Sequence, residues 1–380
     1  MTTAEHLASV ASIRAAFVAP LKRILELQGP DGDIPWYDDG PWDPWNHTES
    51  LMGLSVMHER TAAEKALEYL ADRQDGDGSW LCDYGNAVPM RDRLTMSRDK
   101  APQARDTNFS AYCAVGVLHF AMCFDAIEQV RRYWPMVARA MDFVISLQSP
   151  SGDISWSKEA AGTNDVDDAL IAGNASIYMS LNCAAHLGRL LGYDVLEFDN
   201  ARHQLGTALR TKPARFNRRT NQDSGFAMDW YYPVLSGVLT GDVATKRIDS
   251  RWEQFVSPSR GCHCVLAEPW ITVAETCELV LALLAVGRRQ DALQLFEQQS
   301  RYRDTDGAYW MGWQYDERIF WPMEKPSWTQ AAVILAGDAL YGISTANQLM
   351  IHQNHATLRS TLKLATASTD SNSPDAKASS

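Results

Sequence analysis

The sequence predicts an all-α fold: a closed double ring of six helical hairpins. Three observations predict it. One turn recurs at Gln28–Trp36, Gln74–Trp80, Gln148–Trp156 and Arg303–Trp310. Amphipathic stretches alternate with more apolar, small-residue-rich ones along the chain. No long span shows the period-two alternation of a strand.

In chain order, the opening stretch "MTTAEHLASVASIRAAFVAPLKRIL" carries helical apolar spacing and no basic segment ahead of a long apolar run, so it reads as an amphipathic helix and not a signal peptide. The stretches "LKRILELQ", "ALEYLADRQ", "AMDFVISLQ" and "ALQLFEQQSRYR" each lead into a copy of the turn. There the helix ends at Gln or Arg, a Gly takes positive φ, and a Trp folds back on the helix ends. Further amphipathic stretches lie near 198–210, 244–256 and 289–302.

The second kind of helix follows each loop: 47–57, 108–123, 169–188, 230–240, 274–287 and 328–342. A helix apolar on all sides is contacted on all sides, whereas an amphipathic one keeps a wet face. Six such pairs suit a ring with the apolar helices inside and the amphipathic ones outside; an open solenoid is the alternative. The expected domain spans 1–345, and the Ser/Thr/Ala/Asp-rich stretch 346–380 reads as a disordered tail.

The chain has 380 residues, 46% hydrophobic and 22% charged, with a formal charge of −12. Its size supports a core without disulfide staples. The acidic surface disfavours nucleic acid and anionic lipid as partners, although Arg131-Arg132 and 210–219 are local basic patches. No run of about 18 apolar residues is present, so no membrane span is expected. The seven scattered cysteines suggest reduced thiols and a cytoplasmic location.

The form Gln-x-x-Asp-Gly-x-Trp at Gln74–Trp80, with looser copies at the other three turns, resembles the repeat of the squalene-cyclase and prenyltransferase superfamily. "DPWNHTESLMGL", "MDWYYPVLSG" and "TVAETCELVLAL" are similar to single-toroid bacterial prenyltransferase-like proteins, over nearly all of residues 10–345. The resemblance implies an (α/α)6 toroid.

In such a ring the amino ends of all inner helices open on one face, so polar residues there pool in one bowl. The residues at those ends are Asn46, His47 and Glu49; Asp106 and Asn108; Asp165, Asp167, Asp168, Asn174 and Tyr178; Asp229, Tyr231 and Tyr232; Glu275 and Glu278; Trp328 and Thr329. Capping and the helix dipole account for some of the acids. They do not account for His47, Tyr231, Tyr232 or the tryptophans Trp42, Trp45, Trp230 and Trp328, and the mixture of acids, one His and large rings has an active-site composition.

Asp165-Val-Asp-Asp168 matches the Asp-x-Asp-Asp motif of class II terpene cyclases, where crowded carboxylates keep one acid protonated. By that resemblance Asp167 is the general acid, tuned by Asp165 and Asp168, with aromatic faces stabilising a carbocation. The expected function is therefore an isoprenoid-acting enzyme, class II terpene-cyclase-like or prenyltransferase-like. Its catalytic candidates are Asp167, Asp165, Asp168, His47 and Glu49. Its substrate-binding candidates are Trp45, Asp106, Asn108, Asn174, Tyr178, Asp229, Trp230, Tyr231, Glu275 and Trp328. Capping or solvated charge is the bland reading of the Asp cluster.

Two alternatives stand beside it. The bowl composition also suits a carbohydrate-active enzyme of the same architecture, pairing Glu49 or Asp106 with Asp229 or Glu275 while rings stack on pyranose faces. A non-catalytic ligand-binding toroid is the other. The expected partner is a small molecule, isoprenoid or sugar. No cofactor is expected. A divalent metal is the exception considered: Cys262-His263-Cys264 with Cys277 or His47 offers zinc-type donors, but neighbours on one loop do not close a tetrahedral set. The loop 81–105, with Arg91, Arg93, Arg98 and Arg105, is a candidate lid.

Overall fold

A computed structural model describes residues 12–84, 104–158, 168–220 and 225–351. Its helices are α1 (Val18–Leu27), α2 (Pro44–Val56), α3 (Arg60–Asp72), α4 (Thr107–Ala111), α5 (Cys113–Phe124), α6 (Trp134–Ser146), α7 (Ile171–Leu191), α8 (Leu196–Thr211), α9 (Ala227–Leu235), α10 (Gly241–Phe255), α11 (Val273–Ala285), α12 (Arg289–Gln298) and α13 (Ser327–Tyr341).

The recurring turn spaces these helices. The Gln28 amide donates to Gly32 O at 3.4 Å, closing its own turn, and to Ala62 O of α3 at 2.9 Å. Gln74 repeats this with Gly78 O and Met136 O of α6, both at 2.9 Å. Gln148 does so with Gly152 O at 2.9 Å and Ala201 O of α8 at 3.0 Å. Each Gln thus pins its turn to the outer helix of the next hairpin. The turn glycine is required: at Gly78 φ is +92°, and a Cβ there would lie 2.1 Å from Arg139 O.

The alternation of amphipathic and apolar segments becomes two concentric rings. Helices α2, α4–α5, α7, α9, α11 and α13 pack side by side, and α13 returns to α2 to close the circle. Small residues permit the approach: a Cβ on Gly53 of α2 would meet Ala331 Cα of α13 at 3.2 Å. Helices α1, α3, α6, α8, α10 and α12 form the outer layer, each burying one apolar stripe, as α1 does with Pro20, Leu21, Ile24 and Leu27. The (α/α)6 double ring is therefore the fold.

Some expectations need correction. The stretch 256–320 holds five short strands in one antiparallel sheet: β1 (Val256–Ser257), β2 (Gly261–His263), β3 (Trp270–Thr272), β4 (Gly312–Gln314) and β5 (Ile319–Phe320). Strands of two or three residues are too short to show a period in sequence. The packed chain runs past 345, because Leu349, Met350 and Ile351 are buried; the rest of the expected tail lies outside the described residues. One segment, Thr107–Phe124, is long and apolar enough to cross a membrane, but 89% of it is buried inside the ring.

Candidate active site

Inner helices present the same positions to the same places. Counting each helix's first residue as one, the fourth residue faces outward, onto the preceding turn. There His47 Nδ1 accepts from Ile34 N at 3.3 Å, and Ser110 Oγ accepts from Trp80 N at 3.3 Å. Asn174 Oδ1 accepts from Ile154 N at 2.9 Å, Thr276 Oγ1 from Cys262 N at 2.9 Å, and Gln330 Oε1 from Tyr309 N at 2.8 Å. Positions 47, 110, 174, 276 and 330 are each the fourth residue of their helix. A buried amide without a partner is costly, so these side chains satisfy the turns.

This placement corrects two predicted site residues. His47 is fully buried, with Nε2 also 2.9 Å from Ala66 O, and burial pulls its pKa down to about 4. It is a neutral strut. Asn174 both accepts from and donates to the Ile154 backbone, at 2.9 Å each way, which holds its buried amide on the turn.

The sixth residue points inward. Glu49, Tyr112, Tyr232 and Glu278 hold that position in α2, α4–α5, α9 and α11, and they meet. Tyr112 donates to Glu49 Oε1 at 3.5 Å, and Tyr232 donates to Glu278 Oε1 at 3.4 Å. Tyr231 donates to Glu278 Oε2. Trp45, one turn above Glu49, donates its indole N–H to Glu49 Oε1 at 2.9 Å. Its ring is edge-on to Phe109 at 5.6 Å and to Tyr232 at 6.0 Å. These side chains form the floor and one wall of the bowl. Half-buried Glu275 lies one turn above Glu278, hydrogen-bonded to the Cys264 thiol.

Burial dominates the electrostatics. It pushes the Glu49 carboxyl up to about 7, with the charges of Asp43 and Glu275 adding to the rise while the Trp45 and Tyr112 hydrogen bonds oppose it. Burial and then the charge of Glu49 hold Glu278 well above the usual carboxylate range. Glu49 and Glu278, desolvated side by side with the same charge, resist ionising together, so the site retains a proton near neutrality.

The other predicted residues separate into groups. Asp106 caps α4, accepting from Phe109 N at 3.1 Å. Asp229 accepts from Ala172 N at 3.0 Å and from Asn217 at 2.7 Å, tying α9 to the start of α7. Tyr178 faces outward, its hydroxyl accepting from Arg202 at 3.0 Å. Trp230 also faces outward, bonding Arg247 O at 2.7 Å and stacking on Phe255. Trp328 is half-buried and edge-on to Trp36 at 5.6 Å. Asn108 is buried with its Oδ1 lacking a hydrogen-bond partner among the described residues.

Asp165 and Asp167 lie outside the described residues, as do Arg91, Arg93 and Arg98. Asp168 does not cap α7, whose N-cap is Leu170. It is buried and accepts from Arg218 N at 3.0 Å and Arg219 N at 3.2 Å, so it anchors the loop after α8. Cys262 is buried with its thiol on His263 O, and His263 stands edge-on to Tyr315. Among the described residues no three His, Cys, Asp or Glu are grouped to hold a metal ion.

Tyr112 is a site residue that the sequence reading misses. The signal that could find it is the register: it occupies the same helix position as Glu49, Tyr232 and Glu278.

No family model matches the chain. Over 324 residues the chain is 40% identical to the MMP endo-(1,4)-3-O-methyl-alpha-D-mannosidase of Mycolicibacterium hassiacum, covering 85% of this chain and 86% of that enzyme. The chain belongs to the family of that mannosidase. Membership makes it an enzyme and overturns both the squalene-cyclase/prenyltransferase resemblance and the isoprenoid function, since the family's enzyme is a glycosidase. The repeat turn that suggested the resemblance is a device for spacing helices in a ring, which unrelated chemistries can share.

Solved structures agree on the fold. A structure titled "Glycosidase Wild Type" superposes with a TM-score of 0.63 at 11% identity, covering 90% of this chain and 100% of its own. A D-mannose isomerase gives 0.63 at 10% identity, covering 86% and 96%. The GH63 mannosylglycerate hydrolase of Thermus thermophilus, in complex with Tris and D-glycerate, gives 0.57 at 12% identity, covering 85% and 99%.

Proposed function

We propose that the enzyme is an endo-acting glycosidase that cleaves (1,4) linkages within a 3-O-methylated α-mannose chain, with Glu49 as proton donor and Glu275 as the second carboxylate. The family relationship supports the substrate class. The observation that carries the residue assignment is the unequal engagement of the bowl's acids. Asp106 and Asp229 accept backbone amides, and both oxygens of Glu278 accept tyrosine hydroxyls. Glu49 accepts only at Oε1, so Oε2 is free to carry a proton into the bowl.

Chemistry follows from this geometry. Glycoside cleavage needs one carboxyl protonated and a second ionised. Glu49, pushed up to about 7 by burial, keeps its proton in about half of the molecules at neutrality and delivers it to the glycosidic oxygen. Glu275, on α11 beyond the intervening α13, approaches from another side and serves as base or nucleophile. Glu278, clamped by Tyr231 and Tyr232, is a positioning residue that shapes the field around Glu49. Trp45 offers its face to a pyranose ring.

The test is to incubate the purified protein, Glu49→Gln and Glu275→Gln with a 3-O-methylated α-(1,4)-mannan and to size the products by mass spectrometry. The parent should release internal fragments, and each variant should be slower by about 10²-fold or more. Full activity in both variants removes these assignments; no cleavage by the parent removes the function.

A further inference from the structure

A cavity of about 750 Å³ lies outside the bowl, between the C-terminal end of α1, the turn that follows and the face of α3. That volume is within the range of small-ligand sites. One wall is aromatic: Tyr84 stacks on Trp42 at 4.3 Å and 8°, and Tyr69 stands edge-on to Trp42 at 5.2 Å. Gln28 and Asp33 also line the cavity, and Arg73 lies 4.9 Å over the Tyr69 ring. The Asp33 carboxylate is half-buried and makes no hydrogen bond or ion pair among the described residues.

The lining chemistry selects a ligand class. Of the four acids on the lining, Glu26 is paired with Lys22 at 3.3 Å and Asp38 with Arg23 at 2.6 Å, which leaves Asp33 and Asp39 against the guanidinium of Arg73, a net negative lining that disfavours anions. A fully apolar ligand would desolvate those carboxylates without replacing their hydrogen bonds. A neutral polyol with flat C–H faces satisfies both kinds of group: rings pack on tyrosine, and hydroxyls donate to Asp33 in charge-assisted bonds.

The cavity also adjoins the bowl. Trp42 immediately precedes Asp43, which caps α2, and Trp45 of the bowl wall is three residues on. Three residues span at most roughly 10 Å. We infer that this cavity is a second subsite that grips a non-reacting stretch of the same glycan chain. The inference rests on the glycosidase reading and adds to it a preference for long substrates.

The experiment is calorimetric binding of a long and a short 3-O-methylated mannan oligosaccharide to the full chain carrying Glu275→Gln, with and without Asp33→Ala. The long ligand should bind about tenfold tighter than the short one, and Asp33→Ala should abolish that advantage. Tyr84→Ala, with melting temperatures recorded for all proteins, provides an independent variant should Asp33→Ala fail to fold. An advantage that is absent in the parent, or that survives both substitutions, overturns the subsite. So does stabilisation by calcium chloride that depends on Asp33, which would make the cavity a cation site. Long-chain preference in a protein that cleaves nothing would overturn the glycosidase reading and leave the subsite standing; cleavage without preference would do the reverse.

Discussion

The Trp45 indole donates its hydrogen to Glu49 Oε1 at 2.9 Å, across one turn of the same helix. The bond stabilises the ionised carboxylate against the burial that pushes its pKa up to about 7. With Glu49 as the proton donor, kcat/KM falls as pH rises through about 7. Trp45→Phe removes the hydrogen bond, so the ionised form is less favoured and the alkaline limb moves upward, with a higher KM from lost stacking. A pH–rate profile of both proteins measures this; an unmoved or downshifted limb contradicts the assignment.

Glu49 also makes stability depend on pH. Its folded pKa is raised from the ordinary 4.5 to about 7, so its contribution is fully present below about 4.5 and is lost as pH rises through 7. Glu49→Gln removes that dependence. The variant should therefore be more stable than the parent at about pH 8, by on the order of 2–3 kcal/mol, and no more stable at about pH 4. Urea unfolding at the two pH values measures the difference.

His47 acts in the opposite direction. Its folded pKa is lowered to about 4, so its contribution is present above the ordinary 6.5 and is lost as pH falls toward 4. The cost of acidification from this residue is about 3 kcal/mol. Buried His119, lowered to about 3, adds to it. His47→Gln should flatten the loss of stability between about pH 6.5 and 4 while leaving the alkaline limb of activity in place. Urea unfolding across that range, beside a pH–rate profile, checks both halves.

Two glycines in one turn should respond differently. Gly78 sits at φ +92° with Arg139 O where its Cβ would be, so Gly78→Ala should cost about 2 kcal/mol or more. Gly76, in the same turn, has nothing within 4 Å of a built Cβ, so Gly76→Ala should change stability by less than about 1 kcal/mol. Thermal melts of the two variants separate a packed turn from a merely flexible one.

Most of the fold is legible in the sequence because it repeats. The Gln-to-Trp turns and the alternation of wet and dry helices recur, and each copy corroborates the others. The five short strands of 256–320 are not legible, since hydrogen bonds between distant two- and three-residue segments leave no local period. The site is legible in part. Helix ends point to Glu49, Trp45 and Glu275, but equally to His47, Asn174, Tyr178 and Trp230, which face outward. The misleading signal is Asp165 to Asp168: three acids beside an apolar run match a known motif by composition alone, and the one described member, Asp168, anchors a loop.

Local period and turn chemistry suffice for the set of helices, their turns and the gathering of inner amino ends over one hollow, so the chain's residue order carries all of these. Which side chains enter that hollow is a property of the assembled ring. A residue's direction depends on where its helix starts: the fourth position meets the turn outside, and the sixth meets its counterparts inside. Protonation belongs to the assembled ring as well, since Glu49 holds a proton only because its neighbours exclude water and crowd it with other carboxylates.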